Sequence, residues 1–309
     1  MLESLSAKEL KELKMEETKT NNYGATFRRS PVFFILTRVV VLFFIIIIIF
    51  PILYTLSLSV RSPETVYSAR YFLIPYEFSF ENYIDAFVNA EQKLKVSFPR
   101  MFLNSALVTT LSVTLIISMS IFAAFAFSHL KFPMKESLYN VMIASVAMPA
   151  QVLLIPLFYI LIYLGIINTY QAVILAYAGF LIPIGILILR MFYEQIPYEL
   201  TEAGTVDGAS DFQLLMRVLL PLAKPAIATC VILLFLDTWN EFIYAMIFMQ
   251  DPTIHTVPVG LAKIGTSRYQ INIGTYSASV MITIIPVMII FAVFQRWFIA
   301  GMTMGALKH

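Results

Sequence analysis

The sequence predicts an all-α, polytopic membrane protein with six transmembrane helices. Three observations carry that expectation. Hydrophobic residues make up 59% of the chain and charged residues 13%, against about 25% charged in an ordinary soluble domain. Mean hydropathy is +0.81. Tracts of about 18 or more nearly uncharged residues are long enough to cross hydrocarbon, and they recur near 38–59, 101–127, 138–164, 171–193, 226–249 and 276–299.

The same composition removes several function classes. A formal charge of +2 gives nucleic acid little to bind. Cys230 is the only cysteine and sits in an apolar run, so neither a disulfide framework nor a cysteine metal site is expected. His129, His255 and His309 are far apart, without metal-ligand spacing. No Ser/His or Cys/His constellation suggests an enzyme.

Residues 1–37 form a mixed-charge N-terminal tail. Ser6 and Glu9 have capping-box spacing, so a short helix over 7–17 fits, as does a solvated tail. The first span, 38–60, is apolar all round, as a lipid-exposed helix is. A secretory leader is the alternative, but the preceding tail and the apolar core are both too long for one and no small-x-small site follows. Residues 61–100 are a polar, aromatic-rich loop. Within it Phe80, Tyr83, Ile84 and Phe87 follow i, i+3, i+4, i+7, an amphipathic helix for the membrane surface or for neighbouring helices.

The region 101–299 holds the other five spans. The second is dotted with Asn104, Ser105, Thr109, Thr110, Ser112, Thr114, Ser118 and Ser120. Small hydroxyl residues allow close helix approach and bond between helices, so this span belongs in a bundle interior or along a polar path. The third carries Pro149 and Pro156 and is expected to kink. Pro183 lies in the fourth and Pro286 in the sixth. Residues 300–309 form a C-terminal tail.

Six spans put both termini on one side. That side holds fourteen lysines and arginines against seven on the other. The positive-inside rule then places the termini and the 194–225 segment in the cytoplasm.

That segment is too polar for hydrocarbon. Pro197 suits the first turn of a helix, with Glu199 and Glu202 near its positive end. The helix is expected to stop at Asp207-Gly208. Ser210 and Gln213 then form a capping box for a second helix with Leu214, Leu215, Val218 and Leu219 on one face, ending at Pro221. Leu200, Ala203 and Val206 present a small apolar face at the tip, the form of a docking knob.

The run Glu202-Ala203-Gly204, three residues, Gly208, nine residues, Val218, one residue, Leu220-Pro221 resembles the EAA loop of the permease subunits of bacterial ABC importers. Gly204 stands where that family has alanine, and Val218 where it has isoleucine; both keep the size or branching of the pattern. Trp239-Asn240-Glu241, the leucine-proline run at 220–225 and the C-terminal GMTMGALK resemble the carbohydrate branch, of maltose and glycerol-3-phosphate type. The likeness covers residues 30–309. It implies a type I importer permease fold and transport of a sugar, an oligosaccharide or another polar solute such as glycerol-3-phosphate. Glu202, Ala203, Gly204, Asp207, Gly208 and Leu200 would couple to a cytoplasmic ATPase. Gly301, Met304, Gly305 and Lys308 would reach the ATPase dimer from the tail. The implied partners are a second homologous permease, a dimer of ATPase subunits, an extracytoplasmic solute-binding protein and the lipid of the inner membrane. ATP and Mg would be bound by the ATPase, and this chain would carry no cofactor and no metal.

Residues 260–267, GLAKIGTS, mimic a phosphate-binding loop. They lack the lysine directly after the second glycine that such a loop needs, and they fall in a segment predicted to be external.

Asp237 and Glu241 are the only acids within the predicted spans and lie four apart, on one helical face. Intramembrane acids are costly and mark cavities or partners. Asp237, Trp239, Asn240 and Glu241 are therefore candidates for the translocation path. A structural contact, with the companion subunit or with Thr109 and Thr110, is the other possibility. A secondary carrier using Asp237 and Glu241 as a proton site is the competing function.

Overall fold

In the computed structural model the described residues are 31–67, 73–75, 77–94, 96–266 and 273–306. They are helical with no strand among them: α1 (Pro31–Ser59), α2 (Glu81–Leu94), α3 (Phe98–His129), α4 (Lys135–Val146), α5 (Ala150–Tyr163), α6 (Tyr170–Tyr193), α7 (Tyr198–Val206), α8 (Asp211–Leu222), α9 (Lys224–Trp239), α10 (Ile243–Phe248), α11 (Val257–Thr266) and α12 (Ile273–Ala306). The proposed helix over 7–17 lies outside the described residues. Four helices, α1, α3, α6 and α12, are individually long and apolar enough to cross a membrane; counting the bent pairs α4 with α5 and α8 with α9 as one span each brings the number to six.

The centre of the bundle is the pair α3 and α6, with α9 packed on both. Ser120 and Gly185 let them approach closely: a Cβ on Gly185 would overlap the Ser120 hydroxyl, which donates to the carbonyl of Ile182 at 3.3 Å. One apolar core runs from Val108 and Ile116 through Leu189, Leu215, Leu219 and Leu234 to Phe248. Of the small polar residues expected on the second span, Asn104, Ser105, Thr109, Ser112 and Ser120 are buried, while Thr110, Thr114 and Ser118 remain exposed.

The periphery differs from the expectation in several places. First, α1 is already helical from Pro31, before residue 38, and 32–36 are apolar. Its residues 31–53 are exposed, as a lipid-facing helix should be.

Second, the apolar stripe of α2 packs only in part: Tyr83 bonds Ser59 Oγ at 2.9 Å and Phe87 meets Phe98 edge-on at 5.8 Å. Phe80 and Ile84 are exposed, and the packed face carries Asn82 and Ala86. Asn82 Nδ2 donates to the carbonyls of Ser59 and Arg61, at 3.1 and 2.6 Å, closing acceptors left open at the end of α1.

Third, the kink expected of the third span is present but falls at one proline only, as a break between two helices meeting at 103°. Pro149 precedes α5 in an extended conformation, with no N–H to continue α4, whereas Pro156 stays inside α5.

Fourth, the fifth span breaks after Trp239 and resumes at Ile243. No separate tail follows the sixth span up to residue 306, since α12 runs on to Ala306.

The start of α3, the start of α6 and the loop after α10 are tied together by Asn104. Its Nδ2 donates to the carbonyls of Thr253 and His255 at 3.0 and 2.9 Å, and its Oδ1 accepts from Tyr170 at 2.8 Å. Residues 260–266 are helical, and Gly260 lies directly against Met101, so this stretch is a packing contact rather than a phosphate loop.

Candidate functional site

Two places gather the residues singled out by sequence: the hairpin of α7 and α8, and a cavity beside α9.

The hairpin is built from local signals. Pro197 sits at the N-cap with φ −54°, one position before the helix rather than in its first turn, and Glu199 lies in that turn. The end of α7 is a Schellman motif. Gly208 takes φ +79°, its N–H bonds to Thr205 O, and Ala209 N–H reaches Gly204 O, both at 3.0 Å. Ser210 and Gln213 then complete the capping box: Ser210 N–H donates to Gln213 Oε1 at 3.0 Å, and Gln213 N–H donates to Ser210 Oγ at 3.4 Å.

Leu214, Leu215 and Leu219 are buried, fixing α8 to the bundle. Gly204 faces Leu214, where a Cβ would stand 2.8 Å from Leu214 Cδ1. Thr201 is buried as well. Glu202, Ala203, Asp207, Leu200 and Val206 are exposed, Val206 at 82%. Phe212, which sequence reasoning did not single out, is exposed beside them at 61%.

Pro221 does not stop α8. A π turn over Leu215–Leu219, with Leu220 N–H bonded to Leu215 O, widens the helix just before the ring. The chain turns instead at Ala223, where α8 and α9 meet at 75°.

The root of the hairpin is Arg190, at the last turn of α6. It pairs with Glu194 at 2.6 Å and Glu136 at 3.4 Å, and stacks over Tyr139 at 3.7 Å. Its i, i+4 spacing to Glu194 was visible in the sequence; the contacts to α4 were not.

The second place is a cavity of about 220 Å³ lined by Ala150, Tyr177, Phe180, Leu181, Ile184, Asp237, Glu241 and Tyr244. Asp237 and Glu241 meet there, although the helix carrying Asp237 ends at Trp239, so the cavity rather than one helical face unites them. Glu241 Oε1 accepts from the N–H of Tyr244 at 2.8 Å. Its Oε2 accepts from the N–H of Ala245 at 3.1 Å and from the Tyr177 hydroxyl at 2.5 Å. It thus satisfies the open donors at the start of α10. These partners replace the contact with Thr109 and Thr110 considered from sequence.

Trp239 is buried, stacked on Phe235 and edge-on to Phe102, each at 5.5 Å, and does not line the cavity. Asn240 is exposed, with its amide donating back to Leu236 O at 2.9 Å. Tyr177 and Tyr244 were missed because nothing in their local sequence distinguishes them from core aromatics. Gly301, Met304 and Gly305 fall within α12, and Lys308 lies outside the described residues. No group of three or more His, Cys, Asp or Glu side chains suited to a metal occurs among the described residues.

Residues 116–304 match the family described as binding-protein-dependent transport system inner membrane component. The chain is 30% identical over 84% of its length to the diacetylchitobiose uptake system permease protein of Streptomyces coelicolor, covering 84% of that protein. It is 31% identical over 84% to the trehalose/maltose transport system permease protein of Thermococcus litoralis, covering 91% of it. It is 32% identical over 91% to the sulfoquinovosyl glycerol transport system permease protein of Agrobacterium fabrum, covering 95%. Its structure superposes with TM-score 0.76 and 25% identity on a chain from a bacterial ABC transporter that imports the acidic polysaccharide alginate, over 88% of this chain and 98% of that one. The chain therefore belongs to the family of inner-membrane components of binding-protein-dependent transport systems.

Proposed function

We propose that this chain is one of two permease subunits of an ATP-driven sugar or oligosaccharide importer, moved by an ATPase through the α7–α8 hairpin. The observation that carries the coupling role is the hairpin itself. Its inner faces are buried against the bundle at Thr201, Leu214 and Leu219, while Leu200, Glu202, Ala203, Val206 and Asp207 project outward. A polar helix tip with a small apolar face, rooted rigidly on membrane helices, suits a groove on a soluble partner.

In this reading the hairpin and both termini lie in the cytoplasm. A dimer of ATPase subunits binds ATP and Mg, and this chain binds neither. Closure of that dimer rocks this permease and a second, homologous one between outward- and inward-facing states. An extracytoplasmic solute-binding protein delivers the solute, and the last residues of α12 with Lys308 extend towards the ATPases. The cavity at Asp237 and Glu241 belongs to the translocation path. The sugar assignment follows from the relatives, whose names specify diacetylchitobiose and trehalose/maltose.

The test is purification of the complex from its native membrane. The wild-type chain brings down an ATPase and a second permease, and E202K inserts but loses the ATPase. Uptake into vesicles stops on ATP depletion with the proton gradient intact. Retention of the ATPase and of uptake in E202K would remove the coupling role, and uptake driven by the proton gradient alone would make the chain a secondary carrier.

A further inference from the structure

The cavity between α6, α9 and α10 offers a ligand acceptors and no cation. Its polar edge is Asp237, Glu241 and the phenols of Tyr177 and Tyr244, and no Lys, Arg or His lines it. Both phenolic protons are already engaged, Tyr177 with Glu241 and Tyr244 with the carbonyl of Ala150 at 2.6 Å. Each phenol can therefore only accept from a ligand. Glu241 is held by three donors of the protein. Asp237 differs from it: it is exposed at the cavity mouth and makes no hydrogen bond or ion pair among the described residues.

A carboxyl group at membrane depth faces a cavity or a partner rather than lipid. On α9 it shares its exposed face with Leu233 and Asn240, so the mouth opens on one side of the bundle. The volume, about 220 Å³, is below the ~300–1,000 Å³ typical of sites for whole drug-sized ligands, which suits one ring of a longer solute. Phe180, Tyr177 and Tyr244 supply aromatic faces for such a ring.

We infer that the cavity is a subsite selective for neutral or amino sugars over anionic ones, in which Asp237 accepts the solute's hydroxyl or ammonium protons and Glu241 holds the wall in place. The inference rests on the cavity belonging to the translocation path. An anionic sugar would bring its charge to acceptors only, beside the Asp237 and Glu241 carboxyls and with no cation among the lining residues to meet it, and such like-charge juxtaposition works against the ligand. Asp237 thus determines specificity, and Glu241 is a positioning residue.

The experiment is saturation-transfer NMR on the intact, nucleotide-free complex without its solute-binding protein. The probes are maltotriose, the β-1,4-linked glucosamine trimer and trigalacturonate. Transfer to at least one of the first two and none to trigalacturonate is expected. D237N should weaken that binding about tenfold, the equivalent of one strong hydrogen bond. I184F, which fills the cavity, should abolish it, and serves as the second variant if D237N does not fold. Trigalacturonate binding comparable to the others, absence of binding by both other probes, or unchanged binding in D237N or I184F would overturn the inference. Failure of the importer reading shows separately, as an ATPase that does not co-purify with the wild-type chain.

Discussion

Tyr177 donates its hydroxyl proton to Glu241 across 2.5 Å, joining the middle of α6 to the break between α9 and α10. The same carboxyl accepts from the N–H groups of Tyr244 and Ala245, so it organises a helix start as well as an interhelical contact. Y177F removes one donor and leaves the carboxyl its two backbone partners; a loss of about 1 kcal/mol is expected. E241A strands two backbone donors and a phenol together, each unsatisfied group costing about 1–3 kcal/mol. E241Q keeps an acceptor for at least one donor and should fall between. Thermal unfolding of the detergent-purified complex orders the three, and E241A as stable as Y177F would contradict the structural role of Glu241.

At the hairpin, Gly204 departs from the alanine of the family pattern. A Cβ there meets only the terminal methyl of Leu214, which can rotate away. Alanine also gains about 1 kcal/mol of helix propensity over glycine. G204A should therefore be close to neutral for ATPase binding, whereas G204L must push α7 off α8 and weaken it. Gly208 is different: at φ +79° a side chain is strained whatever the space, by about 1–2 kcal/mol. G208V should loosen the hairpin more than G204A does. Co-purification of the ATPase with each variant is the measurement, and equal retention by G204L and wild type would show that the α7–α8 contact is not required.

The hairpin was legible in the sequence for a physical reason. Its caps are short-range devices, and Ser210 with Gln213, or Gly208 after Val206, announce themselves within four residues. The break at Glu241 was not, because one of its partners lies far along the chain: Tyr177, 64 residues away, bonds the carboxyl and stacks on Tyr244, while the local bonds to Tyr244 and Ala245 carry no distinctive sequence signal. The two prolines of the third span illustrate the same limit. Both remove a donor, yet only Pro149 ends a helix, and sequence alone treated them alike. On α2 the apolar spacing left the membrane surface and neighbouring helices both open; the buried Asn82 was not legible, since it is held by the carbonyls it closes rather than by hydrophobicity.

A pH dependence is expected of the loop at 251–263. His255 is buried, and Lys263 Nζ lies 3.3 Å from its Nε2. Burial first, and then the Lys263 ammonium, push His255 below its ordinary value of 6.5; the Met249 backbone, then Asp251 and the Gln250 backbone, oppose them. Between the lowered value and 6.5 the unfolded loop binds more protons than the folded one. The stability contributed by the neutral ring is thus complete above about pH 6.5 and is lost as pH falls through that value towards the folded one. Amide exchange over 251–263 should quicken as pH falls from 8 to 5, after correction for intrinsic rates. H255Q should flatten that dependence, and a dependence surviving the substitution would assign it elsewhere.

The closest test of the bundle itself is the contact between Ser120 and Gly185. A Cβ on Gly185 would overlap the Ser120 hydroxyl and stand 3.0 Å from its Cβ and 3.7 Å from Ile116 Cγ2. The obstacle is therefore mainly one short side chain, on the helix that forms the central pair with α6. G185A should destabilise by about 1–3 kcal/mol, the usual cost of overpacking a well-filled interface. S120G alone removes the hydroxyl that bonds Ile182 O and places glycine in a helix, which should cost about 1–2 kcal/mol in total. If the clash is with Ser120, adding S120G to G185A creates the space that the new methyl needs. The double variant should then be more stable than the sum of the two singles by about 1 kcal/mol or more, a coupling that a double-mutant cycle reads directly. Additive losses would mean that Gly185 is constrained by the backbone of α6 and not by its approach to α3.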